Sequence, residues 1–188
     1  MKKLIAFTLA TALSSLAYAA TETFVIDPTH SMPRFEYSHL GYSQQLSRFD
    51  TTSGTIIVDR AARSGSVDVT IDAKSVNTGS ALFNTHIQGE DFFDTAKYPT
   101  ITYKSNKLKF EADRLVAVEG ELTIKGITKP VTLSIVSMLC MPHPILKKDA
   151  CGATATAKVK RTDFNMGKYA PFVSDEIMLT IPVESVKQ

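Results

Sequence analysis

The amino-acid sequence predicts an all-β protein, either a sandwich or a barrel. Strict alternation of apolar and polar residues, typical of strands with one buried face, is clearest in residues 66–72, 131–136 and 177–183. Turn-forming sequences such as Arg63-Ser64-Gly65 and Lys125-Gly126 separate such segments. About eight to ten strands in residues 20–188 are enough for either architecture.

Weaker alternation predicts the other strands of this set. They are expected at residues 23–26, 33–38, 54–59, 100–105, 108–112, 115–125 and 153–161. Pro182 falls inside the last strand, where it cannot donate a ladder hydrogen bond. We therefore expect that strand to be an edge or to contain a bulge, which fits a barrel with a weak seam.

One stretch lacks strand alternation and predicts a short helical segment near residues 80–93. Ser80 can cap the first turn, and one or two helical turns are expected to follow. Pro99 disfavours helix at the residue before it, so the next strand is expected to begin at Thr100.

Residues 1–19 have the pattern of a secretory signal peptide. Lys2 and Lys3 precede an apolar run, and Ala17-Tyr18-Ala19 forms a cleavage site. The run is shorter than the roughly 20 residues that span a bilayer, although an uncleaved anchor is the alternative. We expect residues 20–188 to be a single domain in the bacterial periplasm, without a membrane span.

The charge balance excludes a general nucleic-acid binder. The chain has 21 basic and 19 acidic residues, and removal of Lys2 and Lys3 leaves equal numbers of each. Binding to nucleic acid depends on a cluster of cations facing phosphates, which a neutral chain of this composition does not indicate.

The two cysteines predict a disulfide bond. Cys140 and Cys151 bracket the loop 141–150, and an oxidising compartment would join them. The bridge would restrict the unfolded chain by about 3 kcal/mol. The competing interpretation is a soft copper site formed by Met138, Cys140, Met141 and His143.

The local patterns do not support catalysis. Asp27, His30 and Ser31 are the residue types of a hydrolase triad, but adjacent side chains of an extended segment point to opposite faces. The four histidines lack the spacing of a zinc site, and no glycine-rich phosphate loop occurs. We expect no catalytic residues, no metal and no cofactor.

Aromatic residues are numerous, with ten Phe and six Tyr but no Trp. The simplest interpretation is an ordinary core. A barrel of about eight strands, however, is either filled by side chains or left open for one small ligand, and the residue pattern does not choose between the two.

Five sequence blocks, in order, resemble the YceI-like family of secreted bacterial proteins. The first contains Asp27, His30 and Ser31 and is followed by Phe35, and the others are Ser75-Val76-Asn77-Thr78, Phe92-Phe93-Asp94 to Tyr98-Pro99-Thr100-Ile101, the hairpin 120–131 and Arg161-Thr162-Asp163-Phe164. The hairpin is the most specific. Two departures occur: Ser47-Arg48-Phe49 lacks the usual glycine, and Asn165 stands where the family has glycine.

The resemblance implies an antiparallel lipocalin-like β-barrel of about eight strands that carries an isoprenoid or other long-chain amphiphilic lipid. Within the matched motifs, the ligand head group is expected near His30, Ser31, His86 and Arg161. The apolar lining is expected to be Phe35, Tyr37, Phe83, Phe92, Phe93, Ile101, Tyr103 and Phe164.

Two points stay open at the level of the sequence. The alternative function is a stress-response accessory that sequesters amphiphiles and assists a membrane redox partner. The oligomeric state is not determined, and a homodimer is compatible with the sequence.

Overall fold

The computed structural model describes residues 21–188, so the predicted signal peptide lies outside the described residues. The described chain forms eleven strands and one α-helix, α1 (Ala81–Ile87). The strands are β1 (Glu22–Ile26), β2 (Arg34–His39), β3 (Ser43–Phe49), β4 (Thr52–Asp59), β5 (Ser64–Asp72), β6 (Val76–Asn77), β7 (Thr100–Glu111), β8 (Arg114–Ile124), β9 (Ile127–Pro142), β10 (Asp149–Lys160) and β11 (Glu176–Lys187).

Eight of the strands close into an antiparallel barrel. Their order is β1–β4–β5–β7–β8–β9–β10–β11, and β11 pairs back onto β1. Strands β2, β3 and β6 extend the sheet from the other half of β11. The prediction of an all-β barrel of about eight strands is confirmed.

The seam of this barrel lies along β11. Its residues 178–180 pair with β2 and its residues 185–187 pair with β1. Residues 181–184 between them have no paired strand on that side. Pro182 lies in the interruption and is opposite Thr154 of β10. The predicted weak seam is present, but β11 is not an edge strand and its register with β10 is unbroken at Pro182.

The prediction of two separate strands at residues 100–105 and 108–112 was wrong. Residues 100–105 and 108–112 belong to the single strand β7, which contains a bulge: Lys104 lies opposite Glu121 and Lys107 opposite Glu119. The extra residue reverses which side chains point inward, so the alternation stops although the strand continues.

Two strands carried no clear sequence signal. Strand β3 begins with four exposed residues and therefore has no apolar alternation at its start. Strand β6 has only two residues and pairs with the end of β3. The exposed start of β3 does not need the pattern by which strands are recognised, and β6 is too short to show one.

Helix α1 confirms the predicted helical segment. The Ser80 hydroxyl accepts a hydrogen bond from the Phe83 N–H at 3.4 Å and so caps the first turn. The helix and the connection between β10 and β11 lie at one end of the barrel, called here the α1 end. The hairpins β4–β5, β7–β8 and β9–β10 turn at the opposite end, called the hairpin end.

The connection between the two cysteines is more ordered than expected. Strands β9 and β10 pair as far as Pro142 and Asp149, so the expected loop 141–150 shrinks to residues 143–148. Cys140 lies directly opposite Cys151, and the two form a disulfide bond. The predicted bridge is confirmed, and it excludes the thiolate copper site because neither sulfur is free.

Within residues 21–188, no helix is both long enough and apolar enough to span a bilayer.

Candidate ligand-binding cavity

The barrel encloses a cavity of about 760 Å³. Every strand of the barrel contributes inward side chains to the wall, among them Phe24, Ile56, Val69, Tyr103, Leu122, Leu133, Ala155 and Leu179. The volume is within the ~300–1,000 Å³ that is usual for small-molecule sites. The sequence did not decide between a barrel filled by side chains and one with a cavity, and the structure has the cavity.

A bulge in β9 keeps apolar residues on the inward face of this strand. In β9, the lining residues Val131, Leu133 and Ile135 have odd numbers, and beyond a register shift the inward residues are Met138 and Cys140. One strand thus supplies the lining over most of the barrel length because the bulge resets its inward face.

All eight residues predicted as apolar lining do line the cavity: Phe35, Tyr37, Phe83, Phe92, Phe93, Ile101, Tyr103 and Phe164. Three aromatic rings cluster near the α1 end, where Phe93 packs edge-on against Phe35 at 5.9 Å and against Phe49 at 5.3 Å. Edge-on packing at these distances is favourable, so the ring pairs stabilise this part of the wall.

Tyr103 shows how a polar atom is accommodated in an apolar wall. Its hydroxyl donates to the Val118 carbonyl at 2.9 Å and lies 3.0 Å from the Val131 carbonyl. Burial raises the pKa of Tyr103, so the hydroxyl stays protonated. A Cβ at Gly120 would come within 2.7 Å of this hydroxyl, so glycine leaves the ring its place.

Thr52, unlike Tyr103, has a buried hydroxyl without a hydrogen-bond partner in the described chain. It lines the cavity and is 2% exposed, and its Oγ1 is the one buried side-chain polar atom in residues 21–188 without a hydrogen-bond partner. An unpaired buried hydroxyl costs about 1–3 kcal/mol, so a ligand or water that reaches Thr52 gains a ready donor and acceptor.

His86 is the polar residue that the structure places most clearly at the rim. It lies on α1, lines the cavity and is exposed to solvent. Its ring lies between two aromatic lining residues, with centroids 5.7 Å from Phe83 and 5.0 Å from Phe92. The imidazole can therefore face a polar group that lies at the α1 end of the cavity.

Arg161 lines the cavity but is already engaged by the backbone. Its guanidinium donates to the carbonyls of Ser174 and Val173 at 2.8 and 2.7 Å, and to those of Met166 and Lys168 at 2.7 and 3.0 Å. These bonds hold the connection between β10 and β11 against the barrel. The side chain is 8% exposed, and burial lowers its pKa.

Asn165 keeps the local shape that glycine supports in the family. It ends the turn Arg161–Phe164 with φ 54° and ψ 42°, in the left-handed region. Asparagine enters this region more readily than most residues other than glycine. The departure therefore leaves the backbone of this turn in the conformation that glycine would allow.

His30 and Ser31 lie at the barrel seam and do not line the cavity. Ser31 is fully buried, and its hydroxyl bonds to the backbone of Glu184, accepting from the N–H at 3.0 Å. His30 is exposed and bonds through Nδ1 to Asp27 Oδ2 at 2.8 Å. These three residues do not form a hydrolase triad because the serine faces the backbone of β11.

Among residues 21–188, Asp27, His30 and Glu184 form the one group of three side chains that could hold a metal ion. Glu184 Oε2 lies 4.0 Å from His30 Nδ1. The hydrogen bond from His30 lowers the pKa of Asp27 to about 2, and the same bond raises the pKa of His30. The group acts as an ion pair that ties the connection between β1 and β2 to the seam.

The hairpin end contains charged lining residues that the sequence analysis missed. Arg60, Arg63, Asp113 and Arg114 line the cavity there. Arg60 bonds to Glu22 at 2.7 Å, and Arg63 bonds to Asp113 at 2.9 Å. Charged residues in tight turns are normally solvated, so nothing in the sequence marked them as neighbours of a cavity.

In residues 21–188, a closed antiparallel barrel surrounds a large apolar cavity, which defines the protein as a lipocalin-like barrel. A family model described as YceI-like domain matches residues 24–185. The YceI protein of Salmonella arizonae is 37% identical over 190 residues, covering 100% of this chain and 98% of that protein. The chain belongs to the YceI-like family.

Solved structures show the same fold. The YceI protein of Campylobacter jejuni matches with a TM-score of 0.69 and 26% identity, covering 98% of this chain and 99% of that one. A polyisoprenoid binding domain from Saccharophagus degradans matches with a TM-score of 0.64 and 18% identity, covering 88% and 98%.

Proposed function

We propose that this protein binds an isoprenoid or another long-chain amphiphilic lipid inside the barrel and carries it through an aqueous compartment. The observation that carries the proposal is the 760 Å³ cavity with a wall built from apolar side chains of all eight strands. Burying roughly ten methylene groups there yields about 8 kcal/mol before ordering costs, which is enough for micromolar binding.

The relatives support this ligand class. The family match covers residues 24–185, and the neighbour from Saccharophagus degradans is described as binding polyisoprenoids. The proposed role is binding without a catalytic step, and the proposed compartment is the periplasm. The disulfide bond supports an oxidising environment.

The eight aromatic and aliphatic lining residues named above are proposed to contact the lipid chain. His86 is the proposed head-group contact because it is both exposed and part of the wall. Arg161 shapes the same end through its backbone bonds, while His30 and Ser31 stabilise the seam from outside the cavity.

Narrowing the middle of the cavity tests the proposal. Leu133→Trp places a larger side chain inside the barrel, whereas Thr132→Trp places the same side chain on the exposed outer face of the same strand. We expect native mass spectrometry of the purified wild type and Thr132→Trp to show a bound lipid that organic solvent extracts. Leu133→Trp should retain less than about a tenth as much.

Two results would contradict the proposal. Wild-type protein that stays empty after incubation with long-chain isoprenoid alcohols, fatty acids and quinones would remove the lipid ligand. Equal lipid retention by Leu133→Trp and Thr132→Trp would show that any bound lipid lies outside the barrel.

A further inference from the structure

The far end of the β9–β10 hairpin is a second apolar feature of the molecule, separate from the cavity wall. We call residues 136–152 the distal hairpin. Strand β8 pairs with β9 only as far as Ala117 opposite Ser134, so beyond that point β9 has β10 as its single neighbour. Val136 and Leu139 are both 66% exposed, and Met141 is 53% exposed.

The tip of the distal hairpin is held in a defined shape. The His143 N–H donates to the Lys148 carbonyl at 2.7 Å, and the Lys147 N–H donates to the His143 carbonyl at 3.0 Å. The backbone N–H groups of Ile145 and Leu146 both donate to His143 Nδ1 at 3.2 Å. Ile145 is 81% exposed and Leu146 is 54% exposed on this ordered tip. Because the tip is already ordered, contact with another surface costs little conformational entropy.

Cations stand beside these apolar residues. Lys147 and Lys148 follow Leu146 directly, and neither forms an ion pair with any residue in the described part of the chain. Lys187, by contrast, is paired with Glu22 at 2.7 Å. Apolar side chains flanked by unpaired lysines are the composition of surfaces that bind anionic lipid bilayers.

The same hairpin reaches the mouth of the cavity. Met138, Cys140 and Cys151 line the cavity, while Leu139 and Met141 alternate with them on the other face of β9. No helix crosses this end of the barrel in residues 21–188, because its described connections are tight hairpins. A surface that touches the distal hairpin therefore lies next to an entrance of the cavity.

We propose that the distal hairpin docks this protein on the surface of an anionic phospholipid bilayer. Ile145 and Leu146 insert below the head groups, Lys147 and Lys148 contact lipid phosphates, and the cavity mouth faces the membrane. The purpose of this docking rests on the proposed lipid-binding function, but its chemistry depends on the hairpin residues alone.

Vesicle binding tests the proposal. The purified protein is mixed with phosphatidylcholine vesicles containing about one third phosphatidylglycerol, and the bound fraction is measured by cosedimentation. We expect Ile145→Ser with Leu146→Ser to weaken binding more than about tenfold because two inserted side chains are lost. Lys147→Gln with Lys148→Gln should weaken it about 25-fold, about fivefold per lysine, and remove its salt dependence.

A matched control lies at the other end of the barrel. Phe172 is 73% exposed at the α1 end, so Phe172→Ser removes an equally exposed apolar side chain far from the distal hairpin. This variant should bind vesicles as the wild type does. The urea concentration at the unfolding midpoint is measured for each variant. A midpoint equal to that of the wild type shows that the substitution leaves the fold intact.

Four results would overturn the docking proposal. Three of them are a wild type that does not bind the vesicles, hairpin variants that bind as well as the wild type, and loss of binding in Phe172→Ser alone. The fourth is dimerisation through the hairpin in the absence of lipid, which would assign the surface to a second copy. Native mass spectrometry of the same variants reports cavity lipid independently, so failure of docking and failure of lipid binding are distinguishable.

Discussion

At the scale of single residues, the polar groups of this barrel divide into those that the protein satisfies and one that it leaves open. Tyr103 and Arg161, which line the cavity, bond to backbone carbonyls, and these bonds occupy atoms that would otherwise be free for a ligand, whereas Ser31 bonds to the backbone at the seam, outside the cavity. Thr52 Oγ1 has no partner in the described chain. The Thr52 hydroxyl is therefore free to form a hydrogen bond with a ligand or water inside the cavity.

Replacing Thr52 by valine separates these two roles. Thr52→Val keeps the shape and removes the unpaired hydroxyl, so the lipid-free protein should be as stable as the wild type or more stable, by up to about 3 kcal/mol. Urea denaturation of delipidated protein measures this. A loss of stability greater than about 1 kcal/mol would show that the hydroxyl does have a partner, and Thr52→Ala serves as the control for lost volume.

The Asp27–His30 pair predicts a pH-dependent contribution at the seam. The raised pKa of His30 means that its contribution is present below the ordinary value of 6.5 and is lost as pH rises through the raised value. The lowered pKa of Asp27 means that its contribution is present above 3.8 and is lost as pH falls towards about 2. The pair therefore stabilises the fold most between these two ordinary values.

Thermal unfolding of His30→Gln measures this effect. We expect a small decrease in Tm relative to the wild type that is largest at about pH 5 and disappears by about pH 9, when the imidazole is neutral in both states. Asp27→Asn should remove the same pH dependence. A Tm difference that is constant across this range would contradict the assignment.

At the scale of elements, bulges and one disulfide bond decide how the strands are used. The bulge in β7 joins two predicted strands into one, and the register shift in β9 changes which residues face the cavity. Beyond that shift, the disulfide bond joins two directly opposed residues of β9 and β10. It fixes the register of the distal hairpin where β8 no longer supports it.

Removing the bridge tests this role. Cys140→Ser with Cys151→Ser should lower the free energy of unfolding by about 3 kcal/mol, because the unfolded chain regains the freedom of the closed loop. The urea midpoint of the variant should equal that of the wild type under reducing conditions. An unchanged midpoint in both cases would show that the bridge does not stabilise the folded protein.

At the scale of the whole molecule, the two ends of the barrel differ in the residues that line the cavity. Helix α1 and the connection that Arg161 holds lie at the α1 end, which contains the aromatic part of the wall and the exposed His86. The hairpin end has short turns, charged lining residues and the exposed distal hairpin. The two ends of the cavity therefore differ in chemistry, with aromatic rings and an imidazole at the α1 end and guanidinium and carboxylate groups at the hairpin end.

Much of this structure was accessible from local sequence. The all-β class, most strands, the capped helix and the cysteine pairing follow from side-chain period, Ser80 and two cysteines in an oxidising context, because these signals act between neighbours along the chain. The eight predicted apolar lining residues were found through the family resemblance, and all of them face the cavity.

Tertiary structure decided the rest. Only closure of the barrel brings β11 back to β1, leaves a cavity instead of a filled core, and places Arg60 and Arg63 at its mouth. It also moves His30 and Ser31 to the seam and leaves the end of β9 without a neighbour on one side. The physical reason is that volume, register and exposure depend on pairings between residues far apart in the chain, which side-chain periodicity does not record.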